Sequence, residues 1–213
     1  MDSNGENPQW LATTLLPAGR RIARAELPSK LKVGLPEGVT AFVEMRYKQW
    51  DGHPGEWHDS MGKSMKCVYP LDRKEPFRSC NEVEVAKLLR SGLGYEAFFL
   101  TTFWIPDGSA EDRPDWRPWT IKKESFPAWL RKLDYDIRRL SWWPKKTGGG
   151  PKAGGMPDVV GWDPGATDPA RTAVFVECKG AGEATRQDQW PWFSAAIELG
   201  VPAERFGVAY RPF

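Results

Sequence analysis

An apolar run that ends in alternating charges constrains this chain more than any other feature. Residues 172–176 are β-branched or aromatic at nearly every position, and the run continues into Glu177, Cys178 and Lys179. This composition favours a buried strand, and side chains alternate between the two faces of a strand. Glu177 and Lys179 therefore project to the same side, where a carboxylate and an ammonium end an otherwise apolar strand.

A second acidic residue stands before another short apolar run. Asp158 follows Gly-Gly-Met-Pro and precedes two valines, and turn-forming Asp-Pro-Gly and Asp-Pro sequences separate these valines from residues 172–176. We expect the two runs to pair as neighbouring buried strands. Buried charge is costly unless it is paired, and the carboxylates of Asp158 and Glu177 are hard oxygen ligands that suit Mg²⁺. The alternative is an ordinary ion pair between Glu177 and Lys179.

Three blocks of sequence occur in a fixed order in the second half of the chain. They are residues 154–158, residues 177–180, and a block that begins with Gln189-Trp190-Pro191-Trp192 and runs to Val201. Together they resemble the virus-type replication-repair nuclease (VRR-NUC) family of the PD-(D/E)xK superfamily. The resemblance covers residues 81–213 and implies an α/β fold, with a restriction-endonuclease-like core in which helices flank a mixed sheet. It also implies a Mg²⁺- or Mn²⁺-dependent deoxyribonuclease that hydrolyses phosphodiester bonds.

The resemblance further implies which groups form the site. Asp158, Glu177 and the main-chain carbonyl of Cys178 would bind the metal. Lys179 would orient or deprotonate a bound water, or stabilise charge on the scissile phosphate. Gln189 would hold Lys179 or the attacking water, the alternative being an ordinary polar residue at a helix N-terminus. Cys178 replaces the commoner aliphatic residue and should pack as a small hydrophobe.

A predicted helix at residues 81–90 offers a further acidic ligand. Asn81 is a suitable N-cap, and apolar residues follow it at helical spacing. On a 100° wheel Glu82 falls at the margin of the apolar stripe, whereas Glu84 points away from it. The resemblance implies an acidic residue on this helix that reaches the metal, and Glu82 matches that position, with Glu84 as second choice. The alternative is that both carboxylates simply favour the first turn of a helix.

A basic insertion at residues 105–156 precedes Asp158. Residues 118–156 carry nine Lys or Arg against three Asp or Glu, although the net charge of the whole chain is only +2. Within it, residues 125–142 have the apolar spacing of a helix, and a basic Gly-rich stretch follows. These features suit contact with phosphates, whereas the alternative is a solvated helix face and a linker. The residues expected to contact DNA are Lys145, Lys146, Lys152, Arg138, Arg139 and Arg186.

Residues 1–80 lie outside the resemblance and are expected to form a small β-rich accessory region. Residues 40–50 alternate like a half-buried strand. Four side chains of this region have the donor chemistry of zinc sites: His53, His58, Cys67 and Cys80. They lack the Cys-x-x-Cys spacing, so unliganded side chains are the alternative. Because no apolar segment of secretory or transmembrane length is present, we expect a soluble intracellular protein without a membrane partner.

The sequence is compatible with two main classes of function. The first is a structure-selective or general endonuclease that acts on branched, flapped or plain DNA in repair, recombination, phage biology or defence. The second is a non-catalytic DNA-binding or assembly protein that retains the nuclease fold, and a third reading is a sequence-specific restriction-type endonuclease. The combination of Asp158, Glu177 and Lys179 favours catalysis, because a binding module would not require all three. The sequence leaves a homo-oligomer open.

Overall fold

A seven-stranded mixed sheet forms the centre of the fold. The computed structural model describes residues 10–45, 80–100, 120–121, 126–143, 155–180, 183 and 189–212. The strands are β1 (Gly19–Arg21), β2 (Ala41–Met45), β3 (Glu96–Leu100), β4 (Thr120–Ile121), β5 (Val159–Trp162), β6 (Val174–Lys179) and β7 (Phe206–Tyr210). The helices are α1 (Trp10–Leu15), α2 (Ser29–Lys32), α3 (Cys80–Leu93), α4 (Ala128–Arg139), α5 (Pro169–Thr172) and α6 (Gln189–Glu198).

The strand order places β6 near the middle of the sheet. The order is β1-β2-β7-β6-β5-β3-β4, with β2, β7 and β6 parallel to one another and β5 antiparallel to both β6 and β3. Val159 lies opposite Val176 and Val160 opposite Phe175, which confirms the predicted pairing of the two apolar runs. The expected α/β class, with a mixed sheet flanked by helices, is also confirmed.

Two apolar layers cover the sheet, one on each face. Helices α2, α4 and α6 contribute to one layer together with Phe175, whereas α1 and α3 contribute to the other together with Val174 and Val176. This division follows from the alternation of side chains along β6. The aromatic residues belong mostly to the first layer, where Phe175 packs against Trp192 and Phe206 with ring centroids 5.3 Å and 5.2 Å away.

The N-terminal strands extend the same sheet across the boundary expected at residue 80. Strand β2 pairs in parallel with β7, and β1 pairs with the outer edge of β2. The predicted half-buried strand is wrong in one respect, because Phe42 is buried on one face of β2 while Val43 is buried on the other. A strand buried on both faces needs cover on both sides of its sheet. Among the described residues of this region, helices α1 and α2 accompany the two strands.

The predicted elements of residues 81–213 occur with shifted ends. Helix α3 extends beyond the predicted 81–90 in both directions, and α4 is shorter than the predicted 125–142. Cys80 begins α3, but the other zinc candidates lie outside the described residues: His53, His58 and Cys67. Four residues expected to contact DNA also lie outside them: Lys145, Lys146, Lys152 and Arg186. Among the described helices, none has the length and apolar character needed to span a membrane.

Gly161 in β5 allows α3 to lie close against the sheet. A Cβ at this position would come within 3.0 Å of Leu89 Cδ1 and 3.2 Å of Val174 Cγ2. We expect Gly161→Ala to lower the free energy of unfolding by about 1–3 kcal/mol, because an added methyl overpacks this contact. Chemical denaturation measures the change. Gly165→Ala is the control, since an added Cβ there would meet only Asp163 Oδ1, at 3.3 Å in a surface turn. Equal losses would show that α3 does not depend on Gly161.

Candidate active site

Two charged side chains meet a helix terminus at the carboxyl end of β6. Glu177 is 0% exposed and Lys179 is 6% exposed, and both lie on the face of β6 that carries Phe175. Glu177 Oε1 accepts hydrogen bonds from Lys179 Nζ and from Gln189 Nε2. The same-face arrangement predicted from the sequence therefore brings the carboxylate and the ammonium into direct contact.

Gln189 owes its position to the start of α6. This helix is anchored by Trp190, whose Nε1 donates to Leu31 O at 3.1 Å, and by the fully buried Trp192. The sequence predicted that Gln189 holds Lys179 or the attacking water. In the structure its amide donates to Glu177 Oε1, so Gln189 and Lys179 are linked through one shared carboxylate oxygen.

Asp158 enters the site through a tight turn just before β5. Gly155 has a φ of +92°, a conformation that favours glycine. Asp158 Oδ2 accepts a hydrogen bond of 2.9 Å from the backbone N–H of Cys178. Because the N–H and C=O of one strand residue point to the same side, the Cys178 carbonyl also points toward Asp158. The Lys179 carbonyl points the other way and accepts a hydrogen bond from Arg211 N.

Glu82 reaches the site from α3, on the opposite face of the sheet. Its Oε2 atom is buried and accepts no hydrogen bond from a described donor. Burial raises the pKa of Glu82 to about 8, and the negative charge of Asp158 adds to the effect. Glu82 is thus the predicted helix carboxylate that lies close enough to Asp158 for the charge of Asp158 to raise the pKa of Glu82, while nothing is described of the Glu84 side chain.

Glu183 is a further carboxylate that the sequence pattern did not predict. Its Oε2 accepts a hydrogen bond of 3.0 Å from Gly180 N, and its own N–H donates to Gly180 O at 3.2 Å. The negative charge of Glu183 raises the pKa of both Glu82 and Lys179. The sequence of residues 180–188 has neither helical nor strand periodicity, so the spacing of Gly180 and Glu183, typical of a turn, is the one signal that it offers.

The electrostatic balance of the site is set by burial and by neighbouring carboxyl groups. Burial raises the pKa of Glu177 well above its ordinary value, Asp158 raises it further, and Lys179 lowers it. Burial by itself would lower the pKa of Lys179, but the charges of Glu177 and Asp158 raise it above the ordinary value. Burial also raises the pKa of the Cys178 thiol. At neutral pH the site therefore holds an ammonium and a neutral thiol beside crowded carboxyl groups.

The donor atoms fit a divalent cation of the Mg²⁺ type. No group of three or more His, Cys, Asp or Glu side chains is arranged to hold a metal ion within the described ranges. Mg²⁺ needs only one or two carboxylates, because it keeps several waters and shares substrate phosphates. Glu177 Oε2 and Glu82 Oε2 are both buried, and neither has a hydrogen-bond partner among the described residues. A cation would offset the negative charge that these carboxyl groups carry when they are ionised.

Arg138 and Arg139, both expected to contact DNA, make intramolecular contacts. Arg138 Nε and Nη2 each donate to Asp134 at 2.9 Å, and Asp134 is buried. Trp192 Nε1 also donates to Asp134 at 3.3 Å, so this ion pair joins α4 to α6. Arg139 is exposed and donates to Tyr135 Oη. Two hydrogen bonds to Asp134 engage part of the Arg138 guanidinium within the fold, and its contact with DNA stays a prediction.

Comparison with known proteins adds no assignment to this geometry. No protein-family profile, curated protein or solved structure matches the chain.

The raised pKa of Glu82 predicts how stability varies with pH. Between its ordinary value of 4.5 and about 8, the folded chain binds more protons at Glu82 than the unfolded chain does. The free energy of unfolding therefore falls as pH rises through this window. We expect Glu82→Gln to stabilise the metal-free protein at pH 8 by about 1–3 kcal/mol, because the variant has no buried carboxyl to ionise. Thermal melting at pH 5 and pH 8 in a chelator measures the difference.

The control for this experiment is Glu37→Gln, at an exposed position. Its melting temperature should follow that of the parent at both pH values. Adding Mg²⁺ should reduce the advantage of Glu82→Gln, since a cation stabilises the ionised carboxylates of the parent. An advantage of equal size at pH 5 and pH 8 would show that Glu82 does not titrate in this window.

Proposed function

We propose that the chain is a Mg²⁺- or Mn²⁺-dependent deoxyribonuclease with a PD-(D/E)xK arrangement. The observation that carries the proposal is that the two carboxylate oxygens of Glu177 have different surroundings. Oε1 accepts from Lys179 and Gln189, whereas Oε2 is buried and accepts no hydrogen bond from the described residues. One oxygen thus fixes the carboxylate and the other is left for a cation, an arrangement that a simple ion pair does not need.

Residues from both faces of the sheet would bind the cation. Asp158 and Glu177, with the carbonyl of Cys178, would hold the cation from one side, and Glu82 would approach from the α3 side. A bound Mg²⁺ would polarise the scissile phosphate and lower the pKa of a bound water. The hydrogen bond from Cys178 N to Asp158 Oδ2 orients that carboxylate before any ligand binds, which reduces the reorganisation that binding requires.

Lys179 would stabilise negative charge that develops on the phosphate. Its pKa lies above the ordinary lysine value, because the charges of Glu177 and Asp158 outweigh the effect of burial. A group that stays protonated is a poor base, so this favours the electrostatic role over removal of a proton from water. Gln189 would act as a positioning residue, because its amide fixes the same oxygen that Lys179 contacts. A structure-selective or general endonuclease is the activity we propose.

Replacement of the two acidic residues on the β5–β6 side tests the proposal. We expect Asp158→Ala and Glu177→Ala to abolish Mg²⁺-dependent cleavage while DNA binding is largely retained, because binding depends on Lys and Arg. The assay uses labelled duplex, flap, junction and single-stranded DNA with and without Mg²⁺. Asp163→Ala is the control, since Asp163 follows the opposite end of β5 and should leave cleavage unchanged. Cleavage at the parent's rate by either site variant would refute the assignment.

Replacement of Lys179 separates catalysis from cation binding. We expect Lys179→Ala to bind Mn²⁺ and DNA yet to lose on the order of 10² or more in single-turnover cleavage rate, as when one transition-state donor is removed. Lys179→Arg should retain more activity than Lys179→Ala, because its guanidinium keeps the charge although it cannot act as a base. If the alanine variant cuts as fast as the parent, Lys179 is structural. If Lys179→Arg is as inactive as Lys179→Ala, the proposed electrostatic role of Lys179 is wrong.

A further inference from the structure

A stripe of alternating cationic and aromatic side chains runs along the exposed side of α4. The four members of this α4 stripe are Arg131, Tyr135, Arg139 and Trp142. The first three are four residues apart and so share one face of α4, whereas Trp142 lies in the turn after the helix. Tyr135 is 58% exposed and Trp142 is 44% exposed. Both aromatic rings therefore present large areas to solvent.

The exposed rings are held in place by specific contacts. Arg139 Nη1 donates to Tyr135 Oη at 2.9 Å, and its guanidinium lies 5.3 Å from the centroid of the Tyr135 ring. Trp142 Nε1 donates to Glu198 Oε2 at 2.9 Å, and its ring packs beside the buried Trp143 at 6.2 Å. A ring fixed in this way loses little conformational entropy when a ligand stacks on it. The stripe is therefore organised before any partner binds.

The chemistry of the stripe fits a nucleic acid strand with unpaired bases. Aromatic faces stack with bases of any sequence, and adjacent arginines contact the phosphates between them. Arg131 and Arg139 are both exposed and provide this charge, whereas Lys132 on the same helix forms an ion pair with Asp136. We infer that the α4 stripe binds single-stranded nucleic acid. The choice of nucleic acid over a protein partner rests on the proposed nuclease function.

The stripe lies within reach of a strand that passes through the candidate active site. Gln189 begins α6 beside Glu177, and Glu198, which holds Trp142, ends the same helix. Nine steps of about 1.5 Å separate the two ends by roughly 14 Å. At about 3.4 Å per stacked nucleotide, four nucleotides span this distance. The geometry thus deepens the proposed function, because it favours substrates that carry an unpaired strand, such as a flap or a single-stranded tail.

Binding of a labelled single-stranded oligonucleotide in a chelator tests the inference without cleavage. We expect Tyr135→Ala and Trp142→Ala each to weaken binding by about 5- to 150-fold, since one base stacked on an aromatic ring contributes about 1–3 kcal/mol. Affinity for a blunt duplex should change far less. Arg139→Gln should reduce the magnitude of the slope of log K against log salt concentration by about 0.7, the value for one lost single-strand phosphate contact. Fluorescence anisotropy measures binding by the three variants and the parent.

Conservative replacements control for loss of structure. Tyr135→Phe and Trp142→Phe keep an aromatic face and should bind close to the parent, and Val33→Ala tests an exposed apolar residue on another part of the surface. If the alanine variants fold and bind like the parent, or if the parent does not bind single strands, the inference is wrong and a protein partner gains support. If the parent cleaves DNA and the alanine variants bind single strands normally, binding by the α4 stripe is refuted but the nuclease proposal is not. Stripe-dependent binding without any cleavage would overturn the nuclease proposal alone.

Discussion

The arrangement of this site depends on one buried carboxylate that accepts two hydrogen bonds through the same oxygen. Glu177 has no solvent contact, and a buried ionised carboxyl is unstable unless neighbours stabilise it. Lys179 from the same strand and Gln189 from the start of α6 both donate to Oε1. The hydrogen bond from Gln189 to Glu177 therefore connects the start of α6 to β6. The packing of Phe175 against Trp192 also holds that helix against the sheet.

Close approach of backbones brings the remaining carboxyl groups to the same end of the sheet. Gly155 lies in the turn just before Asp158, whose carboxylate accepts a hydrogen bond from Cys178 N. Gly161 allows Leu89 of α3 to pack closely against β5, and burial together with the charge of Asp158 raises the pKa of Glu82 on the same helix. Burial, and next the charge of Asp158, raise the pKa of both Glu82 and Glu177. Under the proposed function, a bound divalent cation would offset the repulsion between these carboxylates.

The charge counted along the sequence does not show which basic residues form ion pairs within the fold. The insertion before Asp158 carries a large excess of basic residues, yet Arg138 binds the buried Asp134 and helps to join α4 to α6. The same helix leaves Arg139 and Tyr135 exposed, a combination that composition does not reveal. What distinguishes the arginines is the partner four residues earlier, which is a property of the folded helix and its neighbours.

The sequence by itself determined the direction of the side chains within each element. The period of two along residues 174–179 placed Glu177 and Lys179 on one face, and the paired apolar runs brought Asp158 beside the end of β6. Only the tertiary structure decided that Gln189 bonds to Glu177, that Glu183 joins the site, and that β2 pairs with β7. The physical reason is that backbone geometry fixes side-chain periodicity locally. The choice of neighbouring elements depends instead on contacts between residues far apart in the chain.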